Sequence, residues 1–238
     1  MTMNEKKGLQ ETELYEERFR YKERRSTVRF IAMLAIVFWT VSCFIIGWRM
    51  TFGGVQVSGP SMMNTLKNED FLIVKYYEEG DELPYGSIIV LDISHYEEVR
   101  DYNAQHPLQS QTKFIIKRLI AKEGDVVRCT DGVVQVRYHG QRDFTVLDEP
   151  YARYDSTADK LAYDFSEDYV VGEGEIFFLG DYRSVSWDSR YKEGRSHLKD
   201  RLYKESDIYG IVPEWALTHK EKLEKIFFWR EKLGRASM

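Results

Sequence analysis

A mainly β domain behind one N-terminal membrane helix is the architecture this chain predicts, and three observations carry it. The run Phe30–Trp48 is 19 residues long and holds no charge. Residues 50–215 break into short runs of β-branched and aromatic residues, separated by Gly, Pro and Asp turns. Two polar stretches, Ser94–Gln111 and Asp148–Asp168, show neither helical nor alternating period and read as surface loops or a smaller inserted subdomain.

The uncharged run is long enough to span a bilayer, because a helix rising about 1.5 Å per residue extends roughly 28 Å over it. A buried soluble helix and a cleaved signal peptide are the alternatives. The run exceeds the usual apolar core of a signal peptide, and no small-x-small cleavage site follows it. Arg18, Arg20, Lys22, Arg24, Arg25 and Arg29 precede it with Glu23 as the one acid among residues 18–29, whereas Arg49 is the only basic residue between the run and Lys67. Retention of positive charge on the inner side then assigns residues 1–29 to the cytoplasm, 30–48 to the membrane and 49–217 to an external domain, with 218–238 as a basic amphipathic tail.

The expected strands are Val55–Val57, Phe71–Tyr76, Ser87–Leu91, Lys113–Ile120, Val126–Arg128, Val133–Tyr138, Ile176–Leu179 and Ile208–Val212. His219–Met238 reads as a helix with Leu223, Ile226, Phe227 and Leu233 near one face and Lys and Arg around them. Across the 238 residues, 34 basic against 39 acidic side chains leave a net charge of −5, a poor basis for holding a nucleic-acid backbone. The two cysteines, Cys43 and Cys129, allow neither a disulfide framework nor a CxxC zinc site. No metal and no cofactor is expected.

Familiar catalytic signatures are missing: there is no G-x-S-x-G elbow, no H-E-x-x-H and no Gly-rich phosphate loop. The five histidines, at 95, 106, 139, 197 and 219, fall in no local motif. Lys117 offers a different base. In a strand, Ile115, Lys117 and Leu119 share one face, and a lysine held among aliphatics loses hydration of its charged form, so its pKa falls and the neutral amine can deprotonate a serine. Strand pattern alone leaves open that Lys117 snorkels at a sheet edge or pairs with a carboxylate. Ser61, after the Gly59-Pro60 turn, could likewise be an ordinary turn serine.

Three segments taken together narrow these alternatives. They are Ser58-Gly59-Pro60-Ser61-Met62-Met63-Asn64-Thr65-Leu66, Lys117-Arg118-Leu119-Ile120-Ala121-Lys122-Glu123-Gly124-Asp125, and Gly180-Asp181-Tyr182-Arg183-Ser184-Val185-Ser186-Trp187-Asp188-Ser189-Arg190. In order and spacing they resemble the boxes of bacterial type I signal peptidases (leader peptidases, peptidase family S26), in a Gram-positive-like form. The likeness spans roughly residues 20–215. It implies a signal-peptidase-like β domain in which Ser61 is the nucleophile and Lys117 its general base. Ser186 matches the serine that orients the lysine, Asp188 and Arg190 the acidic-basic pair beside it, and Gly180, Asp181 and Arg183 the residues supporting the same turn. The Ser61 backbone N–H would be one oxyanion donor; the second donor stays open, since the position carrying a hydroxyl in some members is Gly59. Met62 and Ile115 are candidate substrate-pocket residues.

The implied activity is endoproteolytic removal of signal peptides from exported preproteins at the outer face of the cytoplasmic membrane, with signal peptides and the lipid bilayer as partners and neither nucleic acid nor metal. Departures from the boxes are Asn64 for Pro, Gly86-Ser87 for Gly-Asp, Ala121 and Glu123 for Gly and Pro, and Tyr182 for Asn. None removes a reacting group. A tethered assembly protein that had lost turnover would be expected to lack the serine or the lysine, and a self-cleaving repressor would carry a DNA-binding module in place of a span.

Overall fold

The computed structural model describes residues 3–105, 114–155, 160–161, 164–165, 167–190, 203–223 and 225. The chain divides at Thr51/Phe52 into two units. The first is one helix, α1 (Met3–Thr51), whose part from Leu14 onward is long and apolar enough to cross a membrane. Phe30, Ile36, Phe38, Trp39 and Phe44 are exposed on every side of it, a pattern suited to lipid. Helix continues on the N-terminal side of the apolar run because that stretch is rich in Glu, Arg and Lys, all good helix formers, and contains no proline.

The second unit holds two antiparallel sheets. Strands β1 (Phe52–Gln56), β2 (Phe71–Tyr76), β3 (Ile88–Asp92), β4 (Phe114–Lys122), β5 (Val126–Thr130), β6 (Val133–Arg137), β7 (Thr145–Val146), β8 (Tyr169–Val170), β9 (Glu175–Leu179), β10 (Tyr203–Lys204) and β11 (Ile208–Ile211) follow one another along the chain. The larger sheet has the order β1-β2-β11-β3-β4-β9-β10, and the smaller, β7-β6-β5-β8, is inserted between β4 and β9. Short helices in the unit include α2 (Glu97–Gln105) after β3 and α3 (Glu214–Thr218) after β11.

Side-chain alternation explains how the layers stack. In β3, Ile89 and Leu91 pack with Leu119, Ile176 and Phe178 on one face, while Ile88 and Val90 pack with Met62, Leu66, Leu72 and Val74 on the other. Further along β4, a register shift between Leu119 and Ala121 lets Ile120 and Ala121 join a third cluster with Val127, Val136, Phe177 and Leu179. That cluster is the seam between the sheets. The chain passes from β4 into the smaller sheet at Gly124, which has φ +83°; a Cβ there would lie 2.4 Å from His139 Nδ1.

The observed strands match the expected ones to within a few residues, and Lys113 lies outside the described residues. Three differences stand out. Ser94–Gln111 is not all loop, since α2 forms there and buries Val99, with Tyr96 just before it, against Ile93 and Tyr203. The smaller sheet begins at Val126, well before the polar stretch expected to form a subdomain, and within that stretch Leu161 and Phe165 are core residues. The two-residue strands β7, β8 and β10 were not expected. Of the expected tail helix His219–Met238, residues 220–223 and 225 are helical and follow α3; residues 226–238, with Ile226, Phe227 and Leu233, lie outside the described residues, as do His106 and His197.

Phe177 reaches across the seam to the rings of Phe165 and Tyr169 and is fully buried. Phe177→Ala is expected to cost about 3–5 kcal/mol of stability through lost burial and the cavity left behind. Urea unfolding of the full chain in detergent checks it; a loss under about 1 kcal/mol would show that the two sheets do not share a core.

Candidate active site

Ser61 sits in the loop after β1, at the start of a helical turn. Met63 N–H donates to Pro60 O at 2.8 Å and Leu66 N–H to Met62 O at 2.8 Å, and Met62 and Leu66 anchor the turn from below. Gly59, with φ +91°, makes the bend before it, and its N–H donates to Asn68 Oδ1 at 2.9 Å. The Ser61 side chain stays half-exposed, and its Oγ accepts a hydrogen bond from Lys117 Nζ at 3.0 Å.

Lys117 lies in β4 between Ile115 and Leu119 and is only 4% exposed. Its amine also donates to Ile116 O at 2.9 Å. Burial lowers its pKa from 10.5 to about 8; Asp188 and Asp181 resist the fall, and Arg190 adds to it. Among the described residues, no carboxylate pairs with it directly. A lysine in this condition holds a proton-accepting amine near neutral pH while touching a serine hydroxyl.

The turn after β9 packs against the Ser61 loop. Tyr182 N–H donates to Ser61 O at 3.0 Å. Gly180 passes so close that a Cβ there would lie 2.6 Å from Ser61 O and 2.1 Å from Ser186 Oγ. Asp188 accepts from Gly180 N–H at 3.0 Å and clamps Arg190 through Oδ1–Nε at 2.6 Å and Oδ2–Nη2 at 2.7 Å, both side chains being fully buried. Burial opposes ionisation of Asp188, but the Arg190 guanidinium and the Gly180 N–H prevail and hold its carboxyl below the usual range. Arg183 donates from Nε to Gly180 O at 3.1 Å. Asp181 receives Arg118 in two bonds, from Nε at 2.8 Å and Nη2 at 2.7 Å, and also accepts from the Thr65 hydroxyl.

Of the residues expected from sequence, Ser61, Lys117, Gly180, Asp181, Arg183, Ser186, Asp188 and Arg190 thus share one cluster. Ser186 departs from its expected bond to the lysine. Its buried hydroxyl lies beside Asp188, helping to keep that carboxyl ionised, but no well-formed hydrogen bond satisfies it. Gly59 has no hydroxyl and its N–H is spent on Asn68, so it leaves the second oxyanion donor unfilled. Met62 is 1% exposed and forms the floor of the loop rather than a surface that a peptide could touch, and Ile115 is half-buried against Leu119 and its neighbours.

Sequence reasoning missed Arg118, Thr65, Lys220, Glu149 and Arg153. Lys220, beyond α3, donates to Thr65 O at 2.9 Å and to Asp70 Oδ2 at 2.8 Å, tying the tail to the Ser61 loop. Glu149 pairs with Arg183, and Arg153 bridges to the 181–183 turn through its backbone. Arg118 was visible as the neighbour of Lys117 in the second box and Thr65 as part of the first, though without a role; Lys220, Glu149 and Arg153 carried no signal in pattern or motif. Among the described histidines, His95 faces Asp207, His139 lies by Gly124, and His219 accompanies Trp215 O, all in contacts other than this cluster. Among the described residues, no group of three His, Cys, Asp or Glu side chains is arranged to hold a metal.

Comparison with known proteins identifies the family. Residues 24–220 match the family described as signal peptidase, peptidase S26. A signal peptidase I of Bacillus caldolyticus is 31% identical over 165 residues, covering 64% of this chain and 78% of the relative. A crystal structure of a signal peptidase I from Enterococcus faecalis V583 is 21% identical and aligns over 56% of this chain and 98% of its own, with a TM-score of 0.36. The chain therefore belongs to the signal peptidase, peptidase S26 family, as a type I signal peptidase, a serine endopeptidase that removes signal peptides.

Proposed function

We propose that cleavage runs through a Ser61–Lys117 dyad in a membrane-anchored enzyme, with residues 1–29 cytoplasmic, 30–48 in the bilayer and the β domain of 49–217 at the outer face. The observation that carries the reading is the 3.0 Å contact between Ser61 Oγ and an amine that is buried, without a paired carboxylate among the described residues, and shifted to about 8. The six-to-one excess of basic over acidic residues at 18–29 supports the orientation.

In the proposed mechanism the substrate's scissile carbonyl is attacked by Ser61 Oγ as its proton passes to neutral Lys117. The carbonyl oxygen becomes an oxyanion facing the Ser61 N–H, which no acceptor in the described structure occupies. Collapse breaks the C–N bond, the lysine returns the proton to the leaving amine, and an ester joins the signal peptide to Ser61. Lys117 then takes a proton from water, which hydrolyses the ester. The mature protein leaves first and the signal peptide second.

Ser61→Ala is expected to abolish cleavage of a preprotein without unfolding the chain, read by sequencing any new N-terminus. Lys117→Arg is expected to be as inert, because a guanidinium stays protonated at every working pH. Wild-type turnover by Lys117→Arg would sink the dyad.

Activity should rise with pH through about 8 as Lys117 loses its proton. The same shift affects stability. With a folded pKa of about 8 against 10.5 unfolded, the unfolded chain binds the proton more tightly, so the buried amine weakens folding below pH 8 and ceases to do so above about 10.5. Lys117→Met, which keeps length without charge, is expected to stabilise the protein at pH 7 by up to about 3 kcal/mol. That gain should shrink toward pH 10.5 in thermal melts at each pH, whereas a variant less stable than wild type at pH 7 would contradict a desolvated amine.

A further inference from the structure

The segment Glu149–Asp155 belongs to none of the three boxes, yet it makes more bonds to the 180–183 turn than the Ser61 loop does. Glu149 lies against Arg183, donating partners being Nη1 to Oε2 at 2.8 Å and Nη2 to Oε1, with the arginine side chain fully buried and the glutamate 9% exposed. Tyr154 O–H accepts a further bond from Arg183 Nη1 at 3.0 Å. The backbone adds an isolated parallel bridge: Arg153 N–H donates to Asp181 O at 2.7 Å, and Arg183 N–H to Arg153 O at 2.9 Å. Two residues on from Arg153, Asp155 N–H donates to Ser184 Oγ at 3.1 Å and its carboxylate accepts from Tyr182 O–H at 2.6 Å.

The turn so held is the one that touches the nucleophile's backbone. Arg183, fixed by Glu149, grips Gly180 O, and Gly180 and Tyr182 both meet Ser61 O. Each link between Glu149 and Ser61 is therefore a hydrogen bond or a van der Waals contact with little slack. We infer that Glu149–Asp155 is a positioning strap for signal-peptide cleavage, with Glu149, acting through Arg183 and the 180–183 turn, fixing the Ser61 backbone so that its hydroxyl stays on Lys117.

The inference rests on the Ser61–Lys117 reading, and its role is positional because Glu149 touches neither reacting group. Displacing a reacting atom by about 1 Å can cost ~100-fold in rate while leaving remote substrate contacts intact. Loosening the strap should therefore lower kcat and spare KM.

The test uses the full chain in detergent with a fluorogenic preprotein-derived peptide, comparing wild type, Glu149→Gln and Ser61→Ala. Glu149→Gln keeps the length and one acceptor oxygen but removes the charge. Its kcat is expected to fall ~10- to 100-fold with KM within about twofold, and the deficit should persist when the assay is run well below the variant's own melting temperature. Should Glu149→Gln fail to fold, Glu149→Gln/Arg183→Gln removes both buried charges and leaves two amides able to bond each other; it is expected to be folded by near-UV dichroism with the same kcat deficit. Wild-type kcat in either folded variant, or a deficit that vanishes on cooling, overturns the strap and leaves it a stability element. Cleavage by Ser61→Ala would instead overturn the dyad itself, so the two failures are told apart.

Discussion

Desolvation of one amine governs the layout of the β unit. The pKa of Lys117 falls chiefly because the amine is taken out of water, and the surrounding chain does this by flanking it with Ile115 and Leu119 in a strand that lies inside the larger sheet. A directly paired carboxylate would have raised its pKa again and cancelled the effect. Asp188 and Asp181 are close enough to matter, yet each is committed to a guanidinium, Arg190 and Arg118, in two-bond geometry. Both acids can therefore be buried without claiming the lysine.

Those ion pairs also solve a second problem, the placement of Ser61. A loop serine has no ladder of hydrogen bonds to hold it, so its position must come from neighbours. Thr65 is fixed through its hydroxyl by Asp181 and through its carbonyl by Lys220, while Ser61 O receives Tyr182 N–H. Met62 and Leu66 pin the same turn into the core. Gly180 is where the two segments come closest, and the 2.6 Å that a Cβ would have to Ser61 O explains why no larger residue fits there.

Much of this was legible in the sequence because it rests on local chemistry. The strands of the larger sheet carry their own alternating or continuous apolar signal, and the three boxes set Ser61, Lys117 and Asp188 among the glycines and charges that shape their turns. The parts that were not legible depend on partners distant in sequence. Glu149 reads as one acid in a polar stretch until Arg183 is placed against it, and Lys220 reads as a solvated tail residue until Thr65 O meets it. Helix α2 was hidden for a related reason: among its described side chains Val99 is the buried apolar one, and a single position sets no period. Strands β7, β8 and β10 are two residues each, shorter than any pattern can specify.

The smaller sheet follows from the same economy of contacts. Inserted between β4 and β9, it covers the face of β9 that presents Phe177 and Leu179, and so excludes water from the end of β4 just beyond Lys117 and Arg118. The segment that leaves this sheet after β7 is the one that returns as Glu149–Asp155 to the 180–183 turn. Insertion of the sheet thus supplies both an apolar cover and a polar tether for the same site. A loop of equal length without its own core could offer the tether's hydrogen bonds, but the ordering entropy of each residue in it would go uncompensated. Packing Val127, Val134, Val136 and Phe165 into the seam compensates that cost, and this is why the polar stretch can afford to be polar where it meets Arg183.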